Sequence, residues 1–97
     1  MNDFINNVSS VSDLLKNFSN KDKLAILCYL GDEEKNVSDI IKCTNLSQSQ
    51  VSQYLGKMKL QLILESEKKG KEVYYKITDK KTLEIISSLK KIFSKGN

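Results

Sequence analysis

The 97-residue chain has no histidine, arginine, proline or tryptophan, and it has only two cysteines and four glycines. Lacking histidine, it has neither the usual side chain for general acid–base catalysis nor the commonest metal ligand. Lacking arginine, it cannot make the bidentate guanidinium contact to guanine, the commonest specific contact to DNA. Cys28 and Cys43 do not form a Cys-x-x-Cys pair, and two thiols without an export signal fit a reducing cytosol. Residues 1–10 have Asp3 as their one charge and no basic start leading into an apolar run, so no signal peptide is expected. No apolar stretch approaches the roughly 20 residues that span a bilayer. No nucleophile–base pair, metal cluster or phosphate loop is visible, so neither an enzyme nor a cofactor is expected.

What the chain has is lysine, which supplies all 16 basic residues against 12 acidic ones, for a net charge of +4. The distribution is uneven. Residues 1–56 hold five lysines against seven acids, residues 57–81 eight against four, and residues 82–97 three against one. A lysine-rich segment alone is an ordinary solvated face; beside a DNA-reading helix it becomes a phosphate-binding surface. At this length one domain, residues 1–97, is expected, and a small core makes a symmetric dimer a reasonable way to gain burial.

Hydrophobic spacing predicts five helices and one hairpin. Val8, Val11, Leu14, Leu15 and Phe18 form an apolar stripe on a first helix over about residues 7–18, with a start nearer Phe4 as the alternative. Asn20 can cap a second helix whose run Leu24 to Leu30 is apolar on most sides, and Gly31 stops it. Asp32 to Asn36 reads as a charged loop. Ser38 can cap a short third helix ending near Cys43.

Thr44-Asn45-Leu46 suits the turn of a helix-turn-helix, because Asn45 tolerates a left-handed conformation. Ser47 followed by Gln50 is a capping-box pattern opening a fourth helix, and Val51, Leu55, Met58 and Leu62 mark its inward face. A first strand opens at Ile63-Leu64 and fades into Glu65-Ser66-Glu67, Lys68 to Lys71 forms the turn with Gly70 at positive φ, and Glu72 to Ile77 is the second strand. Tyr74 and Tyr75 fall on opposite faces of it. Asp79 can cap a last helix over about residues 80–94, with Leu83, Ile86, Leu89, Ile92 and Phe93 on its buried side. The expected class is mainly α with a small β-hairpin, a winged helix-turn-helix with the helix pair over about 37–60 and the wing over about 63–77.

The segments Lys23 to Leu27, Leu46 to Leu55 and Val73 to Tyr75 together resemble the ArsR/SmtB family of small bacterial winged-helix repressors. Ile26-Leu27-Cys28 and Val51-Ser52-Gln53 look most like its branch of haemolysin activators and biofilm-associated sulfide-responsive repressors. The resemblance implies a cytoplasmic homodimer joined through the first and last helices, with the fourth helix in the major groove of double-stranded DNA. It also implies two departures. A glycine is usual where this chain has Leu62, and a leucine there disfavours a left-handed helix end. The metal-binding cysteines of many members fall on Asn36 and Ser38, and the aspartate–histidine site of others has no histidine to build it, so no metal is expected at either place. The redox branch pairs a cysteine matching Cys28 with a position that here is Ser94, which leaves Cys28 either an inert buried thiol or a single-thiol sensor.

The candidate DNA contacts are Ser47, Gln48, Ser49, Gln50, Ser52, Gln53, Tyr54, Lys57, Lys69 and Lys71. Glutamines can pair with adenine N6 and N7, serines with bases or phosphates, and lysines, Lys68 among them, with phosphates. Gln50 is divided between capping and readout, and Tyr54 between a phosphate contact and packing at the helix edge. The alternative function is a winged-helix protein-interaction module with weak or no DNA binding.

Overall fold

A computed structural model describes residues 2–94. The elements run α1 (Asn2–Asn6), α2 (Val8–Ser19), α3 (Lys21–Leu30), β1 (Lys35–Asn36), α4 (Val37–Thr44), α5 (Gln48–Leu60), β2 (Leu64–Lys69), β3 (Glu72–Ile77) and α6 (Lys80–Phe93). The three strands form one antiparallel sheet in the order β1-β3-β2. Helices α3, α4 and α5 surround a core of Ile26, Leu27, Leu30, Ile40, Val51, Leu55 and Met58, closed by Ile63, Leu64, Ile77 and Ile86. Each such side chain contributes about 1.5–3 kcal/mol on burial. Among the described residues, no helix is long and apolar enough to cross a membrane.

Local chemistry sets most element ends. Asn20 Oδ1 accepts the Asp22 and Lys23 amides at 3.0 Å each and starts α3. Gly31, at φ 53°, ends it by donating its amide to the Leu27 carbonyl at 3.0 Å. Asp79 Oδ2 accepts both the amide and the hydroxyl of Thr82, at 2.9 and 2.6 Å, and starts α6.

Several expectations need correction. The described residues form six helices rather than five, because Asn7 interrupts the first: its side-chain amide donates to the Asp3 carbonyl at 2.8 Å and closes α1 before α2 begins. Helix α4 is capped by Asn36, not Ser38; Asn36 Oδ1 accepts the Asp39 amide at 2.8 Å. The charged loop contains a strand, since Lys35 and Asn36 pair with Tyr75 and Tyr74. The first wing strand does not fade but runs unbroken to Lys69. The turn shrinks to Gly70-Lys71, with positive φ at Gly70 only, the type II′ geometry that fits strand twist.

Leu62 is the sharpest departure. It takes the left-handed conformation at φ 63° despite its side chain, and it stands 81 % exposed rather than facing the core. Its amide donates to Lys59 O and the Ile63 amide to Met58 O, both at 3.0 Å, which is the double bond of a Schellman helix end. The left-handed residue swings Ile63, 4 % exposed, into the core beside Met58. Burying Ile63 thus offsets a backbone conformation costing about 1–2 kcal/mol in a non-glycine residue.

The last correction concerns α6. Ile86 is buried and Leu83 and Leu89 half-buried, but Ile92 and Phe93 are 70 % and 75 % exposed. On the N-terminal side, Phe4, Ile5, Val8 and Leu15 are exposed as well.

Candidate nucleic-acid interface

The helix-turn-helix is built by three short-range devices. Asn45 adopts φ 59°, ψ 25°, and its amide closes α4 on the Ile41 carbonyl at 2.9 Å. The Ser47 hydroxyl accepts the Gln50 amide at 3.1 Å, and Gln50 Oε1 accepts the Ser47 amide at 3.0 Å, completing the capping box. Val51, Leu55 and Met58, at spacings of four and three, are at most 1 % exposed and fix the rotation of α5. The opposite side is therefore fixed too. Ser49, Ser52, Gln53 and Lys57 lie exposed on it, and Gln48 is exposed in the first turn, three residues before Val51.

The ten candidate residues do not share one state. Ser47 Oγ and Gln50 Oε1 are engaged in the cap, and a bidentate adenine contact needs both ends of the Gln50 amide. The Tyr54 hydroxyl donates to Asp22 Oδ2 at 3.3 Å, tying α5 to α3 from a half-buried position. Lys71 stands exposed in the wing turn, and Lys68 is exposed in β2. Lys69 is different: its ammonium donates to Glu34 and lies 5.1 Å from the centre of the Tyr74 ring. The hydrogen bond to Glu34 holds it above the usual lysine range.

Two groups absent from the candidates contact the same elements. Lys59 Nζ donates to Ser66 Oγ at 2.7 Å and braces α5 against the wing. Glu34 holds Lys69 from a position 35 residues away in the chain, which no local pattern signals.

Cys28 is half-buried and Cys43 exposed, and they are not bridged to each other. Burial pushes the Cys28 thiol above its ordinary value, only partly opposed by the Lys90 charge. That favours the protonated, less reactive form. Asn36 Oδ1 is occupied as a helix cap. Among the described residues, no three of His, Cys, Asp and Glu come together in a group fit for one.

A family model described as "Bacterial regulatory protein, arsR family" matches residues 20–66. The chain is 31 % identical over 81 residues to the HTH-type transcriptional regulator YgaV of Escherichia coli, covering 82 % of each chain. It is 30 % identical over 84 residues to the transcriptional activator HlyU of Vibrio cholerae, covering 87 % of this chain and 78 % of that one. The crystal structure of the transcriptional repressor BigR from Xylella fastidiosa superposes with a TM-score of 0.89 at 26 % identity, covering 98 % of this chain and 97 % of the other.

Proposed function

Because the chain belongs to the arsR family of bacterial regulatory proteins and is a transcription regulator of winged helix-turn-helix type, we propose that it binds a pseudo-palindromic operator as a homodimer. Two copies of α5 enter successive major grooves about 34 Å apart. Gln48 and Gln53 pair with adenine edges, Ser49 and Ser52 contact bases or phosphates, and Gln50 and Ser47 hold the helix start in place. Lys57, Lys68 and Lys71 neutralise phosphates, which gives affinity and register but no sequence information. With no arginine to read guanine, an A·T-containing site is the natural target. The protein acts in the cytoplasm, by occupying promoter DNA.

The observation that carries this proposal is the fixed rotation of α5, whose buried Val51, Leu55 and Met58 leave an exposed polar face behind an intact capping box. Dimerisation through α1, α2 and α6 is supported by their exposed Phe4, Ile5, Val8, Leu15, Ile92 and Phe93. Zinc, cadmium and arsenite are not expected to release DNA, because Asn36 and Ser38 replace metal-binding thiols; stoichiometric release on titrating the complex would contradict this.

The test is binding of duplex DNA from the chain's own promoter, followed by fluorescence anisotropy across a salt series. The parent should bind more weakly as salt rises, and Gln48→Ala and Gln53→Ala should each lose about 1–3 kcal/mol. The second function, a protein-interaction module, has in its favour the exposed Leu60 and Leu62 beside the wing, at 86 % and 81 %. It prevails if the parent shows no affinity for DNA.

A further inference from the structure

We propose that Glu34 is an intramolecular competitor for the wing lysine Lys69 and so sets how tightly the protein holds DNA. The inference rests on the DNA-binding function above. It begins with β1, whose pairing of Lys35 with Tyr75 and of Asn36 with Tyr74 places the preceding residue, Glu34, beside the hairpin. The outer face of the hairpin carries Glu65, Glu67 and Lys69 from β2, alternating with Ser66 and Lys68 on the other side. From β3 it carries Glu72, Tyr74 and Lys76, which pair with Lys69, Glu67 and Glu65 respectively.

Lys69 is the last residue of β2, next to the turn, where a wing meets the DNA backbone. Its ammonium is not at the turn. It lies over Tyr74, which pairs with Glu67 two residues farther back, and it donates to Glu34 beyond. The side chain is thus drawn along the sheet, away from the tip, by a carboxylate partner and an aromatic face together. Glu65, Glu67 and Glu34, with Lys76 the one ammonium among them, also line a shallow hollow of about 230 Å³ on that face, where carboxylates outnumber cations and disfavour a polyanion. DNA therefore meets the wing at its tip, through Lys68 and Lys71, while Lys69 is held back.

A phosphate at the tip must take the Lys69 ammonium from Glu34. The pair is exposed, and exposed ion pairs are weak, so the exchange is possible but lowers affinity. Removing the carboxylate frees one further cation for the DNA backbone.

The experiment measures affinity of the intact chain for a duplex carrying its own promoter, at several salt concentrations, for the parent, Glu34→Gln, Lys69→Ala, the double variant and Glu65→Gln. Glu65 lies on the same outer face without bonding Lys69, so it reports the plain effect of removing one negative charge. Glu34→Gln should raise affinity about three- to ten-fold and steepen the slope of log affinity against log salt by about 0.9, the increment for one more neutralised phosphate. Glu65→Gln should gain less, and in the Lys69→Ala background the gain from Glu34→Gln should fall to that of Glu65→Gln. An equal gain in that background, or one no larger than that of Glu65→Gln, overturns the competitor role while leaving DNA binding intact. A parent with no salt-dependent binding overturns both.

Discussion

At the scale of single residues, Leu62 shows how one buried neighbour can dictate an unfavourable backbone. Its φ of 63° suits glycine, and its exposed side chain gains little in return. The Schellman bonds and the inward position of Ile63 hold it there. Replacing Leu62 with glycine should therefore stabilise the fold by about 1 kcal/mol, the left-handed penalty less the added freedom of the unfolded chain. Denaturant unfolding at fixed protein concentration checks this, and a midpoint at or below the parent's would refute it. The identity of residue 62 was plain in the sequence, but its conformation was not, because it depends on which of Leu62 and Ile63 enters the core. Asn17 poses the opposite case: its amide is buried with no hydrogen-bond partner among the described residues, and nothing in the structure explains it.

At the scale of elements, the helix ends that use side chains within three residues were legible. Asn20, Asp79 and the Ser47–Gln50 box form where their residue types and spacing place them, because a cap is settled by local geometry. Asn36 and Ser38 show the limit of that logic. Both types can cap, and the pairing of Asn36 with Tyr74 puts the former in the extended conformation a cap needs. Strand β1 was hidden for the same reason, since two residues make no pattern and their partners lie 38 or more positions away.

The capping box also links element to function, because it orders the turn that carries Gln48 and Ser49. Ser47→Ala leaves the Gln50 amide without its acceptor and should cost about 0.5–2 kcal/mol. Hydrogen exchange at the Gln50 amide should quicken and DNA affinity fall with it. Unchanged exchange would mean that the helix start is held by something other than this hydroxyl.

At the scale of the whole molecule, the exposed ends of α1, α2 and α6 change the meaning of the hydrophobic pattern. Periodicity marked Ile92 and Phe93 as buried, yet they are exposed in the isolated chain, because spacing reports an apolar face and not which molecule covers it. A second copy supplies the missing cover in the proposed dimer. Changing both Ile92 and Phe93 to aspartate should leave the helical content intact, since neither side chain packs into the single-chain core. Sedimentation should show the variant as a monomer with much weaker operator binding. A variant that remains dimeric would place the contact elsewhere. The charge asymmetry was equally legible, whereas the withdrawal of Lys69 onto Glu34 depends on long-range contact and was not.

The most direct measurement is footprinting of the chain's own promoter by the parent and by a Gln48→Ala/Gln53→Ala variant at matched protein concentration. The parent should protect two symmetric half-sites about one helical turn apart, and the variant should lose that protection while keeping only weak, salt-sensitive binding. Protection by the variant equal to the parent's, or no protection by the parent, would contradict α5 as the element that reads DNA.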